Sequence, residues 1–262
     1  MPENDVRRES VPPMVVLVHG AWHGAWCWAA LQAELDRHGV ASIAVDLPGH
    51  GASTLPLSDM YGDASHVVDV VSRIDRRVVL VGHSYGGAVV TEAAHMLAAS
   101  PTSPGDAIAH LVYLAAFCPD EGESVMSIAT SPFGGPVLLG QAMLPGPEGT
   151  TVLDPDKVHA ALYGSCSAEI SSAAAARLSP QPMITFEQPA SGSPWKDLPS
   201  TYVVCKRDQA VHPGHQTHMA QRCRHVHRFD TDHSPFVSMT PETARIIIEI
   251  TNETKATKGT ST

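Results

Sequence analysis

The chain has 262 residues, 43% hydrophobic and 17% charged, with a formal net charge of −10 from 27 acidic and 17 basic residues. That length suits one large α/β domain or two small ones, and such a chain buries roughly three quarters of its unfolded surface. The acidic balance argues against nucleic acid or an anionic membrane as a partner, since both call for a basic face. Cys27, Cys118, Cys166, Cys205 and Cys223 are widely spaced with no C-x-x-C pair, which speaks against a disulfide framework or a zinc knuckle. The opening MPENDVRRES has no apolar stretch, and no run approaches the roughly 20 residues of a membrane span. A cytoplasmic protein is therefore expected.

In chain order, the predicted elements alternate. Strands MVVLV (14–18), ASIAV (41–45), RVVLV (77–81) and HLVYLAA (110–116) are separated by helices over 28–38, 64–75 and 85–99, the first stopped by Gly39. Two more strands, TYVVC (201–205) and HVHRF (225–229), come with helices over 214–223 and 242–251. Several strands are apolar without alternation, as parallel strands buried on both faces are. The expected fold is α/β, a mostly parallel doubly wound sheet. Between strands 110–116 and 201–205 lie about 84 residues, too many for a structureless connection in a compact domain. They are read as a folded lid, with helical pieces near 155–163 and 167–178. The apolar residues of SPFGGPVLLGQAMLPGPEGT at its centre suit the covering of an apolar ligand. The expected division is a core over 13–117 and 199–251, a lid over 118–198, and flexible tails over 1–12 and 252–262.

The strongest chemical signal is VVLVGHSYGGAVV, where a strand runs through Gly82-His83-Ser84-Tyr85-Gly86 into a helix. This G-x-S-x-G pattern holds a serine on a sharp strand-to-helix turn, and its glycines lack the Cβ atoms that would collide across it. Ser84 is the predicted nucleophile. The base and acid should follow in the order acid, then histidine. Asp208 lies just past the carboxyl end of strand 201–205, where parallel sheets place their sites, and His233 follows strand 225–229. The competing acids are Asp120, Asp197, Asp230 and Asp232; Asp120 also follows a strand, and Asp230 and Asp232 sit too near His233 in sequence to reach its ring Nδ1 easily.

An oxyanion hole should combine the N–H of Tyr85 with one from the loop after the first strand, VLVHGAWHGAWCW, where Ala21 follows His19-Gly20. Gly20, Trp22, Phe133 and Met143 are the predicted substrate-pocket residues. Trp26 and Trp28 are expected to pack that loop on the first helix, and His19 to be structural. His212, His215 and His218 are spaced by three, as metal ligands on a helix are. No acidic or cysteine ligand accompanies them, so a solvated helix face is expected and no metal site. Cys118 and Cys166 read as structural.

Taken together, VLVHGAWHGAWCW, VDLPGHGAS (45–53), VVLVGHSYGGAVV, LVYLAAFCPDEGES, YVVCKRDQAV and DTDHSPFVSMTPE resemble the α/β-hydrolase superfamily. Within it they are most similar to the esterase and hydroxynitrile-lyase group, with its plant methylesterases and bacterial pyrethroid-hydrolase-like carboxylesterases. The resemblance runs from about residue 14 to 250 and is weakest in the lid, where ALYGSC and LSPQP look like the bacterial esterases. It implies an α/β-hydrolase fold with a lid inserted after the sixth strand. It also implies a triad of Ser84, Asp208 and His233, with oxyanion donors at Ala21 and Tyr85. In the lyases of that group a threonine follows the first-loop histidine and a lysine follows the catalytic one; here those positions are Gly20 and Ser234. The expected activity is therefore hydrolysis of a carboxylic ester of a small, largely apolar substrate, without cofactor. A homodimer is compatible with the sequence. The alternatives are a hydroxynitrile lyase or C–C hydrolase on the same frame, or a non-hydrolytic ligand receptor or pathway cyclase.

Overall fold

The computed structural model describes residues 11–100 and 107–256. Strands β1 (Met14–Val18), β2 (Ser42–Val45), β3 (Val78–His83) and β4 (Ile108–Leu114) come first. Three short strands follow in the insertion, β5 (Met143–Pro145), β6 (Thr150–Leu153) and β7 (Gln181–Pro182), and then β8 (Ser200–Cys205) and β9 (His225–Phe229). The main sheet has six strands in the order β2-β1-β3-β4-β8-β9. Every pairing within it is parallel.

The central strands β1, β3, β4 and β8 are buried on both faces, which explains why they are dominated by apolar residues. Side chains alternate across the sheet. Val16, Val18, Leu80 and Leu111 enter one core with helices α2 (Met60–Ser72) and α3 (Gly86–Ala99). Val15, Leu17, Val79, Val81 and Val112 enter the other with α1 (Ala29–Arg37) and the C-terminal helix Thr240–Ala256. Gly39 adopts φ +70°, the left-handed turn that ends α1.

Several expectations are corrected. Helix α2 starts at Met60 rather than near 64, because the Asp59 carboxylate accepts the Gly62 N–H at 2.8 Å and caps the helix one turn earlier. The last helix runs to Ala256, so residues 252–256 are not a tail. Its polar final turns are supported by Thr251 and Thr254, whose hydroxyls bond back to the carbonyls of Ile247 and Ile250. Residues 1–10 and 257–262 of the expected tails lie outside the described residues. The insertion follows the fourth strand of the chain, not the sixth, since β8 and β9 both come after it.

Within the insertion, α4 (Val125–Ala129), α5 (Leu138–Ala142), α6 (Pro155–Leu162), α7 (Ala168–Ala175) and α8 (Ile184–Glu187) surround an antiparallel sheet of order β5-β6-β7. That small sheet is absent from the sequence expectations. Among the described residues no helix is long and apolar enough to cross a membrane.

Candidate active site

Ser84 follows the last residue of β3 and has φ +53°, a left-handed conformation that costs a non-glycine residue about 1–3 kcal/mol. Packing enforces it. A Cβ on Gly82 would lie 2.5 Å from the Gly86 carbonyl oxygen, and one on Gly86 would lie 2.5 Å from that of His19. Only glycine at both positions lets β3, α3 and the loop after β1 approach this closely. The Ser84 carbonyl accepts from Gly87 N and Phe117 N, both at 3.0 Å, which fixes the elbow against α3 and the start of the insertion.

Asp208 and His233 meet after the ends of β8 and β9. His233 Nδ1 donates to Asp208 Oδ2 at 2.7 Å, with both side chains buried. The Asp208 carboxylate accepts three further bonds: Ala210 N at 2.7 Å and Val211 N at 2.9 Å on Oδ1, and Gln216 Nε2 at 2.7 Å on Oδ2. Gln216, on helix α9 (Pro213–Ala220), also accepts the Cys205 N–H at 2.9 Å and so ties the carboxylate to the end of β8. Sequence reading missed it; its only signal is a buried amide eight residues past Asp208.

His83 brings the two halves together. Burial drives its imidazole pKa well below the usual value, so it is neutral, and its Nε2–H donates to the His233 carbonyl at 2.9 Å. The two rings lie 4.5 Å apart, seating the His233 backbone beside the Ser84 elbow.

A cavity of about 390 Å³ lies over Ser84. From the core, Ala21, Trp22, Tyr85 and Phe117 line it; from the insertion, Val125, Val137, Leu139, Met143 and Phe186 do. Ser84 and Gln141 bring polar side chains to its wall, and no acidic or basic residue lines it. The Ala21 and Tyr85 N–H groups have no acceptor among the described residues. The Tyr85 hydroxyl points away and donates to Asp63 Oδ2 at 2.7 Å. Burial of Asp63 on α2 raises its carboxyl to about 7.

Of the four predicted pocket residues, Trp22 and Met143 line the cavity and two do not. Gly20 lies behind the wall, where a Cβ would come 2.8 Å from that of Ser84. Phe133 stands 51% exposed on the outer surface, stacked on His218 at 3.6 Å. The histidine row is not a solvated face either. His215 is buried and bonded to the Ser131 carbonyl at 3.1 Å, and the His212 ring caps α9 by accepting from Gly214 N. The row clamps the loop 131–135 against α9.

The competing acids are occupied elsewhere. Asp120 pairs with Lys196 at 2.7 Å, which pulls its carboxyl down to about 2. Asp232 accepts from Ser165 N at 2.9 Å and the Ser238 hydroxyl at 2.8 Å. Asp230 faces solvent beside Lys206 and Arg207. Asp197 precedes the amino end of β8, the opposite end of that strand from Asp208. Trp28 packs with Leu31 and Leu35 of α1, whereas Trp26 stacks on His23 and beneath Arg177 of the insertion.

Comparisons with known proteins place the fold in a family. The chain is 29% identical over 251 residues to the alpha/beta hydrolase nvfD of Aspergillus novofumigatus, covering 90% of this chain and 95% of that one. It is 38% identical over 117 residues to a carbendazim hydrolyzing esterase of Nocardioides sp., covering 43% of this chain and 46% of the relative. The crystal structure of the methylesterase MES16 from Arabidopsis superposes with a TM-score of 0.75 at 25% identity, over 92% of this chain and 99% of that one. The profile of the alpha/beta hydrolase family matches residues 15–246, and the chain belongs to that family.

Proposed function

We propose that the protein is a carboxylesterase that cleaves an ester of a small, largely apolar substrate through an acyl-enzyme. One observation carries the reading: the buried His233–Asp208 pair, bonded at 2.7 Å, is tied through the His233 carbonyl to His83, the residue before a serine held in a left-handed elbow under an apolar cavity. Because Nδ1–H is committed to Asp208, the neutral imidazole has its lone pair on Nε2, the form needed to take the Ser84 proton. Ser84 Oγ then attacks the ester carbonyl, and charge develops on the carbonyl oxygen. The free N–H groups of Ala21 and Tyr85 receive that oxyanion, and the N-terminus of α3 adds favourable potential. His233, now protonated and held by Asp208, delivers its proton to the leaving alcohol. It next deprotonates a water that releases the acid and regenerates Ser84.

Similarity to a methylesterase and to a carbendazim hydrolyzing esterase supports the ester as the reacting group. With Ser234 after His233 and no Lys or Arg on the cavity wall, a leaving cyanide would find no cation, which favours hydrolysis over cyanohydrin cleavage. The test is steady-state hydrolysis of p-nitrophenyl butyrate by wild type and Ser84→Ala. Turnover is expected in the wild type, with a loss of at least about 10³-fold in the variant. Equal turnover in the two would reject the reading.

A further inference from the structure

The loop after β1 packs on Gly86 at His19, but its Trp22 is held by the insertion. Trp22 has φ +64°, an unfavourable conformation for a large side chain, and every polar group it owns is satisfied by the insertion. Its N–H donates to Gln181 Oε1 at 3.3 Å, and its carbonyl accepts from Ser179 N at 2.9 Å. Its indole Nε1–H is shared between the Thr151 carbonyl and hydroxyl, each at 3.1 Å. Thr151 and Gln181 face each other in the β6–β7 pairing, so one rung of the small sheet grips both ends of the tryptophan.

The Ala21–Trp22 peptide is also held on its carbonyl side. His23 Nδ1 lies 2.8 Å from the Ala21 carbonyl, which can only accept, so the proton is on Nδ1. Burial lowers the His23 pKa to about 4, leaving Nε2 as an acceptor for the Tyr163 hydroxyl at 2.8 Å. Tyr163 follows α6 of the insertion and is itself buried. One plane of the peptide is thus fixed at its N–H by Gln181 and at its C=O, through His23, by Tyr163. The Ala21 N–H lies one peptide upstream, joined to this held plane through the Cα of Ala21 alone, so release of the plane frees its direction.

We infer that Tyr163 and Gln181 are positioning residues for the oxyanion hole, so that the insertion completes the catalytic site as well as covering it. The inference rests on the esterase reading for what the Ala21 amide does during reaction. Losing an oxyanion donor outright costs about 10²–10³ in turnover, so a donor left in place but loosely aimed should cost less.

Tyr163→Phe and Gln181→Met test this, each removing polar atoms with little change of volume. With p-nitrophenyl butyrate, kcat should fall about tenfold in each while KM stays within about twofold, since the apolar walls are untouched. Affinity for an alkyl trifluoromethyl ketone, which forms a tetrahedral adduct with the serine, should fall in parallel with kcat/KM. Affinity for the corresponding alcohol product should not change. Amide exchange of the segment 20–26 should accelerate in both variants, a readout independent of turnover. Unchanged kcat with unchanged exchange would overturn the inference, as would a raised KM with wild-type kcat. If Gln181→Met fails to fold, Tyr163→Phe decides alone, since it removes a single oxygen. Failure of the esterase reading looks different, because wild-type turnover would then survive Ser84→Ala.

Discussion

The Tyr85 amide is held by the sheet. Gly82 and Gly86 press β3, α3 and the loop after β1 together, and the elbow has no other way to run. The Ala21 amide comes from the loop after β1 and depends on the insertion, through Gln181, Thr151, Ser179 and Tyr163. One donor is built on backbone packed directly against backbone, at Gly82 and Gly86. The other is built from contacts separated by 140 and 159 residues. An elbow of the first kind should break all at once, and a loop of the second kind should loosen by degrees.

The largest effect is expected on the rigid side. Gly86→Ala places a Cβ 2.5 Å from the His19 carbonyl oxygen and 2.6 Å from that of Val18, both backbone atoms that cannot yield alone. Overpacking of this kind costs about 1–3 kcal/mol or more, and turnover should be lost with the geometry of Ser84. Thermal unfolding and p-nitrophenyl butyrate hydrolysis measured together check it, and a variant with wild-type Tm and kcat would contradict the packing argument. Asp208→Asn should keep the fold and lower kcat by about 10⁴, because the amide favours the wrong imidazole tautomer. Gln216→Met removes one of the four bonds to that carboxylate, and a smaller loss of about tenfold in kcat is expected.

Behind Tyr85 the pH dependence is set by Asp63. Its folded pKa of about 7 lies above that of an exposed carboxyl, so between about pH 4 and pH 7 the folded chain keeps a proton that the unfolded chain has released. The stabilisation is fully present below that window and is lost as pH rises through 7. At about 1.4 kcal/mol per unit, the swing is on the order of 4 kcal/mol. Asp63→Asn does not titrate, so its Tm relative to wild type should rise from pH 5 to about pH 7 and level off by pH 8. A constant difference across that range would show that Asp63 stays ionised throughout. The smallest effect belongs to Phe133→Ser on the outer surface, where kcat and KM should both remain within about twofold.

The same contrast decides what can be read from the chain alone. Ser84, Asp208 and His233 are marked by their positions at strand ends, and the central strands by uninterrupted apolar runs, so the core and the proposed triad are legible. The insertion is not. Strand β7 is two residues long and β5 ends in a proline, so neither carries a period that a sequence pattern can reveal. Gln181 and Tyr163 look like any lid residues until the small sheet and α6 bring them to Trp22 and His23. Phe133 looks like a pocket residue because it is aromatic and lies in an apolar stretch, yet the chain turns it outward onto His218. The histidine row is equally mute in sequence, since its partners Ser131 and Phe133 lie about 80 residues upstream.

The central claim is that Ser84 forms the covalent intermediate, and an alkyl fluorophosphonate followed by peptide mass analysis tests it most directly. One adduct, on the peptide containing Ser84, is predicted for wild type, with none in Ser84→Ala and much slower labelling in Asp208→Asn. A folded wild-type protein that stays unlabelled, or that carries its adduct on another residue, would contradict the account.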